Sequence, residues 1–130
     1  MTKGLRISFR LLLLIYLAGV CLLCLIHSES LPQISFTLWG IPQDKIVHFL
    51  MFLPFPFLAE FSFGTGNSSR RVLLRVALLF LVGAVLAGLT EYLQKISGYR
   101  SMELLDFVAD CLGLALSCII VLAIKLSCRR

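Results

Sequence analysis

Residues 72–93 read VLLRVALLFLVGAVLAGLTEYL, a run broken by only two charged side chains, Arg75 and Glu91. At about 1.5 Å of rise per residue, such a helix is long enough for the ~30 Å hydrocarbon core of a bilayer. Lipid offers the backbone no hydrogen-bond partner, so a span of this kind must be helical. Three other runs share its character: 46–63, 104–126, and 11–26, the last extending back through Ile7 and Phe9 if Arg10 snorkels to the interface. The expected fold is therefore all-α: a polytopic membrane protein built as a bundle of four transmembrane helices, with 1–130 as one domain. Composition agrees. The chain is 59% hydrophobic and 15% charged, with mean hydropathy +0.97, whereas water-soluble domains carry about 25% charged residues. Disorder is excluded for the same reason.

Four spans put both termini on one side. Nine of the twelve basic residues then share that side: Lys3, Arg6, Arg10, Arg70, Arg71, Arg75, Lys125, Arg129 and Arg130. Lys45, Lys95 and Arg100 fall on the other. The positive-inside rule makes the nine cytoplasmic, and with them both ends of the chain. In so apolar a chain the net charge of +5 reads as membrane topology, not as a nucleic-acid footprint. No small-x-small cleavage site follows Ile26, so the first run reads as a span and not as a signal peptide. Asn67-Ser68-Ser69 is a glycosylation sequon on the cytoplasmic side, where it would stay unmodified. Phe36 and Trp39, among Pro32, Gly40 and Pro42, suit the outer headgroup level. Cys21 and Cys24 form a CxxC without a nearby cation to stabilise a thiolate, and read as small packing residues.

Ionisable groups near hydrocarbon are costly, and here they gather at the outer end. Asp44, Lys45 and His48 open the second span; Glu91 and Gln94 close the third; Arg100, Ser101 and Glu103 occupy the loop; Asp106 and Asp110 open the fourth. Asp44 and His48, Glu91 and Gln94, and Asp106 and Asp110 are three or four apart, so each pair lies on one helix face. Gly83 and Ala87 precede Glu91 on its face, while Gly113 and Ser117 follow Asp110. Such small residues let helices approach closely. The polar pairs are thus expected to face one another around a water-reachable pocket. Asp110 lies deep enough to require protonation, a partner or a wet cavity. Pro54 and Pro56 should kink the second span, either widening that pocket or as a tolerated irregularity. At the inner end Glu60 is the one acidic residue.

Asp44-Lys45-Ile46-Val47-His48-Phe49, then Glu91-Tyr92-Leu93-Gln94, then Arg100-Ser101, Asp106 and Gly113 follow the order of a known signature. In this respect the chain resembles the VanZ-like family of small bacterial membrane proteins. The match covers about 44–120, preceded by the first span at 7–26. Asp110 departs from the pattern, standing where the family has Asn. The resemblance implies a multi-pass protein of the bacterial cytoplasmic (inner) membrane, linked to the cell envelope and to resistance against the glycopeptide teicoplanin. It supplies no agreed reaction.

Two functional readings follow. In the first, the outer pocket binds or modifies an anionic lipid-linked or peptidoglycan-related ligand. Lys45 and Arg100 would meet its anion, helped by Asp44, Gln94, Ser101 and Asp110. His48 would be the acid or base, with Glu91 or Asp106 orienting its ring. In the second, the chain is a non-enzymatic membrane partner or small transporter, and the polar residues form an interhelical network. Catalysis stays open between them, as does oligomerisation. Asp44, His48, Glu91, Asp106 and Asp110 are acceptable ligands for zinc or magnesium. Yet no dense ligand motif occurs, and Lys45 and Arg100 would repel a cation, so no metal or cofactor is expected.

Overall fold

The computed structural model describes residues 2–25, 37–38, 40–66, 68–97 and 103–127. They fold into α1 (Lys3–Leu25), α2 (Gln43–Phe52), α3 (Pro54–Phe63), α4 (Ser69–Ser97) and α5 (Leu104–Ser127), with a two-residue ladder of β1 (Thr37–Leu38) against β2 (Ile41–Pro42) before α2. Gly40, at φ 80°, takes the left-handed conformation that turns this ladder back on itself. Four stretches are long and apolar enough to cross a membrane: Lys3–Leu23, Gln43–Phe63, Ser69–Ile96 and Leu104–Ser127. The four-helix expectation is met, making this a multi-pass membrane protein. The second and third helices reach further towards the outer end than hydropathy suggests, so Asp44, Lys45 and Lys95 are helical. Ile26, Phe36, Trp39, Asn67, Arg100, Ser101, Cys128, Arg129 and Arg130 lie outside the described residues.

The surface is apolar. Leu14, Ile15, Leu78, Leu81, Val85 and Ile119 are 59–69% exposed, which would drive aggregation in water and is ordinary against lipid. Leucine and valine occur both inside and outside, so what distinguishes the two is position around the helix. Along α1, Leu13, Tyr16, Leu17 and Val20 follow an i, i+3, i+4, i+7 stripe that packs inward. Phe52 and Phe55 from either side of the α2–α3 junction meet Ala59, Ala87 and Leu114 in one apolar layer. Val72, Val76, Cys118 and Val121 form a second between α4 and α5.

The prolines break the second span without ending it. Pro54 and Pro56 cannot donate to the carbonyls of Leu50 and Phe52. Leu53 nevertheless keeps helical angles (φ −55°, ψ −42°), and its N–H reaches the Phe49 carbonyl at 3.2 Å. Beside the break, the Tyr16 hydroxyl of α1 donates to the Met51 carbonyl at 2.6 Å. A neighbouring helix so supplies a donor where the ladder is interrupted, as lipid cannot. The break sits against the apolar layer of Phe52 and Phe55, deeper than the polar end.

The small residues do let the helices close up. A Cβ on Gly113 would collide with the backbone carbonyl of Phe49, and one on Gly83 would press on the Leu114 side chain. Leu114 can rotate away; the α2 backbone cannot. Gly113→Ala is accordingly expected to cost about 1–3 kcal/mol by overpacking, and Gly83→Ala less. Thermal unfolding of the two variants in detergent checks this, and equal midpoints would show that α2 and α5 stand further apart.

Candidate functional site

Three helix ends meet at the end of the bundle that the charge distribution marks as the outer one, and the end is called outer on that expectation. α2 begins after Pro42, so Asp44 and Lys45 lie in its first turn and His48 one turn deeper. α5 begins at Leu104, with Asp106 in its first turn and Asp110 in its second. α4 brings Glu91 and Gln94 on its last turns. Asp44 and Asp106 each sit where a helix dipole is positive, which favours the carboxylate.

Lys45 is the hub of the shallow half. Its Nζ donates to Asp44 Oδ2 at 2.9 Å, to Glu103 Oε2 at 2.5 Å and to Asp106 Oδ1 at 2.5 Å. His48 is the hub of the deep half, 2% exposed. Its Nδ1 lies 3.0 Å from Asp110 Oδ1 and 3.6 Å from Glu91 Oε1, while Nε2 lies 3.7 Å from Asp106 Oδ2. Asp106 touches both hubs. Every helical pairing read from the spacing is realised, because the three-and-four-residue steps point each pair the same way.

The structure thus brings together Asp44, Lys45, His48, Glu91, Asp106 and Asp110, with Gln94 buried one turn beyond Glu91. Arg100 and Ser101 lie outside the described residues. Two details differ from the sequence reading. Asp110, expected to touch ligand, is the side chain hydrogen-bonded to the imidazole, ahead of Glu91 and Asp106. Lys45, expected to meet an anion, already faces three carboxylates. The water-reachable pocket is also replaced, among the described residues, by a packed cluster: Glu91, Asp106 and Asp110 are at most 1% exposed. Mutual pairing draws these side chains together and closes the space between them. Beside the cluster runs a groove of about 470 Å³, bounded by α2 and α5 and almost wholly apolar, lined by Lys45, Ile46, Phe49, Leu105, Val108 and Leu112 among others.

Glu103 was placed in the loop by the sequence but given no role. Its signal was there: it precedes Asp106 by three residues, so both carboxylates face the same side at the start of α5. A second cluster was missed altogether. Glu60, 1% exposed, accepts two bonds from Arg75, at 2.8 Å from Nη2 and 3.2 Å from Nε, and Lys125 Nζ stands 3.5 Å away. Arg75 also donates to the carbonyls of Thr65 at 2.5 Å and Gly66 at 3.2 Å. Nearby, Arg10 snorkels to the Ser62 carbonyl at 3.3 Å. Residues 60, 75 and 125 belong to three helices, and no periodicity within one helix connects them.

Two groups have ligand atoms close enough together to hold one ion, His48–Glu91–Asp110 and Asp44–Glu103–Asp106. The Lys45 ammonium already fills the second. Compared with known proteins, the chain matches no family model, no curated protein and no solved structure, so a functional reading rests on these side chains.

Proposed function

We propose that this chain is a VanZ-like protein of the bacterial inner membrane, with both termini cytoplasmic, whose outer-end cluster binds or modifies an anionic lipid-linked or peptidoglycan-related ligand. Such a role connects it with glycopeptide resistance of the teicoplanin kind. The observation that carries the reading is a buried histidine surrounded by carboxylates from α4 and α5. Ionisable groups within a membrane protein are expensive and mark function by default. Packing alone would be served by apolar side chains, since replacing buried ion pairs with them is often neutral or stabilising. Arg100 and Ser101, which lie between α4 and α5 in the sequence, are the residues left to meet the anion once Lys45 is engaged.

The test uses the full chain in a bacterial membrane. His48→Ala, Arg100→Ala and Asp106→Asn are each expected to lower capture of a polyprenyl-diphosphate-linked wall precursor at least tenfold, with membrane abundance unchanged. Appearance of a modified precursor that depends on His48 makes the protein an enzyme; capture without product makes it a binding module. Loss of abundance in step with loss of capture favours the second reading, an interhelical network, which draws support from how thoroughly the cluster is sealed. A transport path is less well supported. The outer cluster and the Glu60 cluster are separated by the apolar layer of Phe52, Phe55, Ala87 and Leu114.

A further inference from the structure

The deep half of the outer cluster holds more carboxyl groups than its neighbours pair. Glu91 and Asp110 are 1% and 0% exposed. Among the described residues, neither oxygen of Glu91 nor Asp110 Oδ2 makes a geometrically sound hydrogen bond. The Glu103 backbone amide reaches towards Glu91 without matching its charge. Lys45 is committed to Asp44, Glu103 and Asp106. Two buried carboxylates are left to one imidazole, and an uncompensated buried charge is strongly unfavourable.

We propose that His48, Glu91 and Asp110 bind a single divalent cation of the zinc class. The spacing fits. Donors about 2.0–2.1 Å from zinc at tetrahedral corners stand about 3.3 Å apart. His48 Nδ1 is 3.0 Å from Asp110 Oδ1 and 3.6 Å from Glu91 Oε1, and all three donors lie within 4.8 Å of one another. The opposite ring nitrogen, Nε2, faces Asp106 Oδ2 at 3.7 Å. Histidine ligands commonly present their second nitrogen to a carboxylate in this way, which fixes the tautomer and ring orientation. The charges then close: the dication offsets Glu91 and Asp110, and Lys45 offsets Asp106. Asp44 and Glu103, with side chains 30% and 50% exposed, keep contact with solvent. The repulsion that Lys45 would exert on a cation is cancelled by the carboxylates around it. An imidazole with two carboxylates suits zinc, and three protein donors leave a fourth coordination position on the ion.

The experiment takes the full chain, purified in detergent without added lipid and stripped with chelator, and titrates it with zinc. One ion per chain is expected by elemental analysis. E91Q and D110N should each weaken binding at least 100-fold and D106N about 10–100-fold, the range for a carboxylate behind a ligating histidine; K95A should bind as the parent does. X-ray absorption of the parent should show nitrogen and oxygen neighbours with an imidazole signature, and it decides the matter if the variants fail to fold. No stoichiometric zinc, sulfur neighbours, or unaltered binding by folded E91Q and D110N overturns the proposal. Zinc bound without any capture of wall precursor sinks the functional reading alone, and capture by a chain that takes up no zinc sinks this one alone.

Discussion

Lys45→Met is expected to destabilise the protein by about 3–5 kcal/mol, the cost of removing one partner from a buried ion pair. Methionine keeps the length and apolar stem of lysine, so the loss is electrostatic. Asp106, 1% exposed, would face Asp44 and Glu103 with no cation between them, and the carboxylates at the starts of α2 and α5 would lose the counter-ion they share. Adding Asp106→Asn to Lys45→Met should recover most of the loss, because the burial penalty of the carboxylate disappears with its charge. A double-variant cycle on unfolding in detergent measures this coupling. Additive effects would mean that Lys45 and Asp106 do not pair in the folded protein.

An effect of similar size, about 3–5 kcal/mol, is expected at the opposite end from Glu60→Ala. Arg75 would keep its bonds to the Thr65 and Gly66 carbonyls but lose both contacts to the carboxylate, and Lys125 would lose its anion. Arg75→Lys should lie in between. An ammonium can hold Glu60 as a point charge, but it lacks the planar fork that binds a carboxylate through two nitrogens while also reaching the α3–α4 turn. Membrane abundance and the unfolding midpoint in detergent follow both variants. A stable Glu60→Ala protein would show that these cations reach water or lipid phosphate instead. Neither residue is near His48, so neither change bears on ligand capture except through folding.

The two clusters differ in how visible they were. The outer one announced itself because each helix places two polar groups at a spacing of three or four residues next to an apolar run, and a bilayer tolerates such pairs only when they face inward. The roles within it were less legible. Which carboxylate lies closest to the imidazole depends on the rotation of α5 against α2, and that rotation is fixed by Gly113 packing on the Phe49 backbone. The inner cluster contributes one residue from each of α3, α4 and α5, so nothing local distinguished Arg75 from the other basic residues at that end of the bundle.

Taken alone, the sequence determined four apolar helices, the end at which charge collects and the faces that turn inward, because hydrocarbon imposes helix length and the helical repeat imposes direction. Tertiary structure alone decided that Lys45 is shared by three carboxylates, that Asp110 holds His48, and that Glu60 joins Arg75 and Lys125. Contacts of this kind depend on how far helices slide and rotate against one another, which is set by the fit of side chains across their interfaces and is written in no single segment.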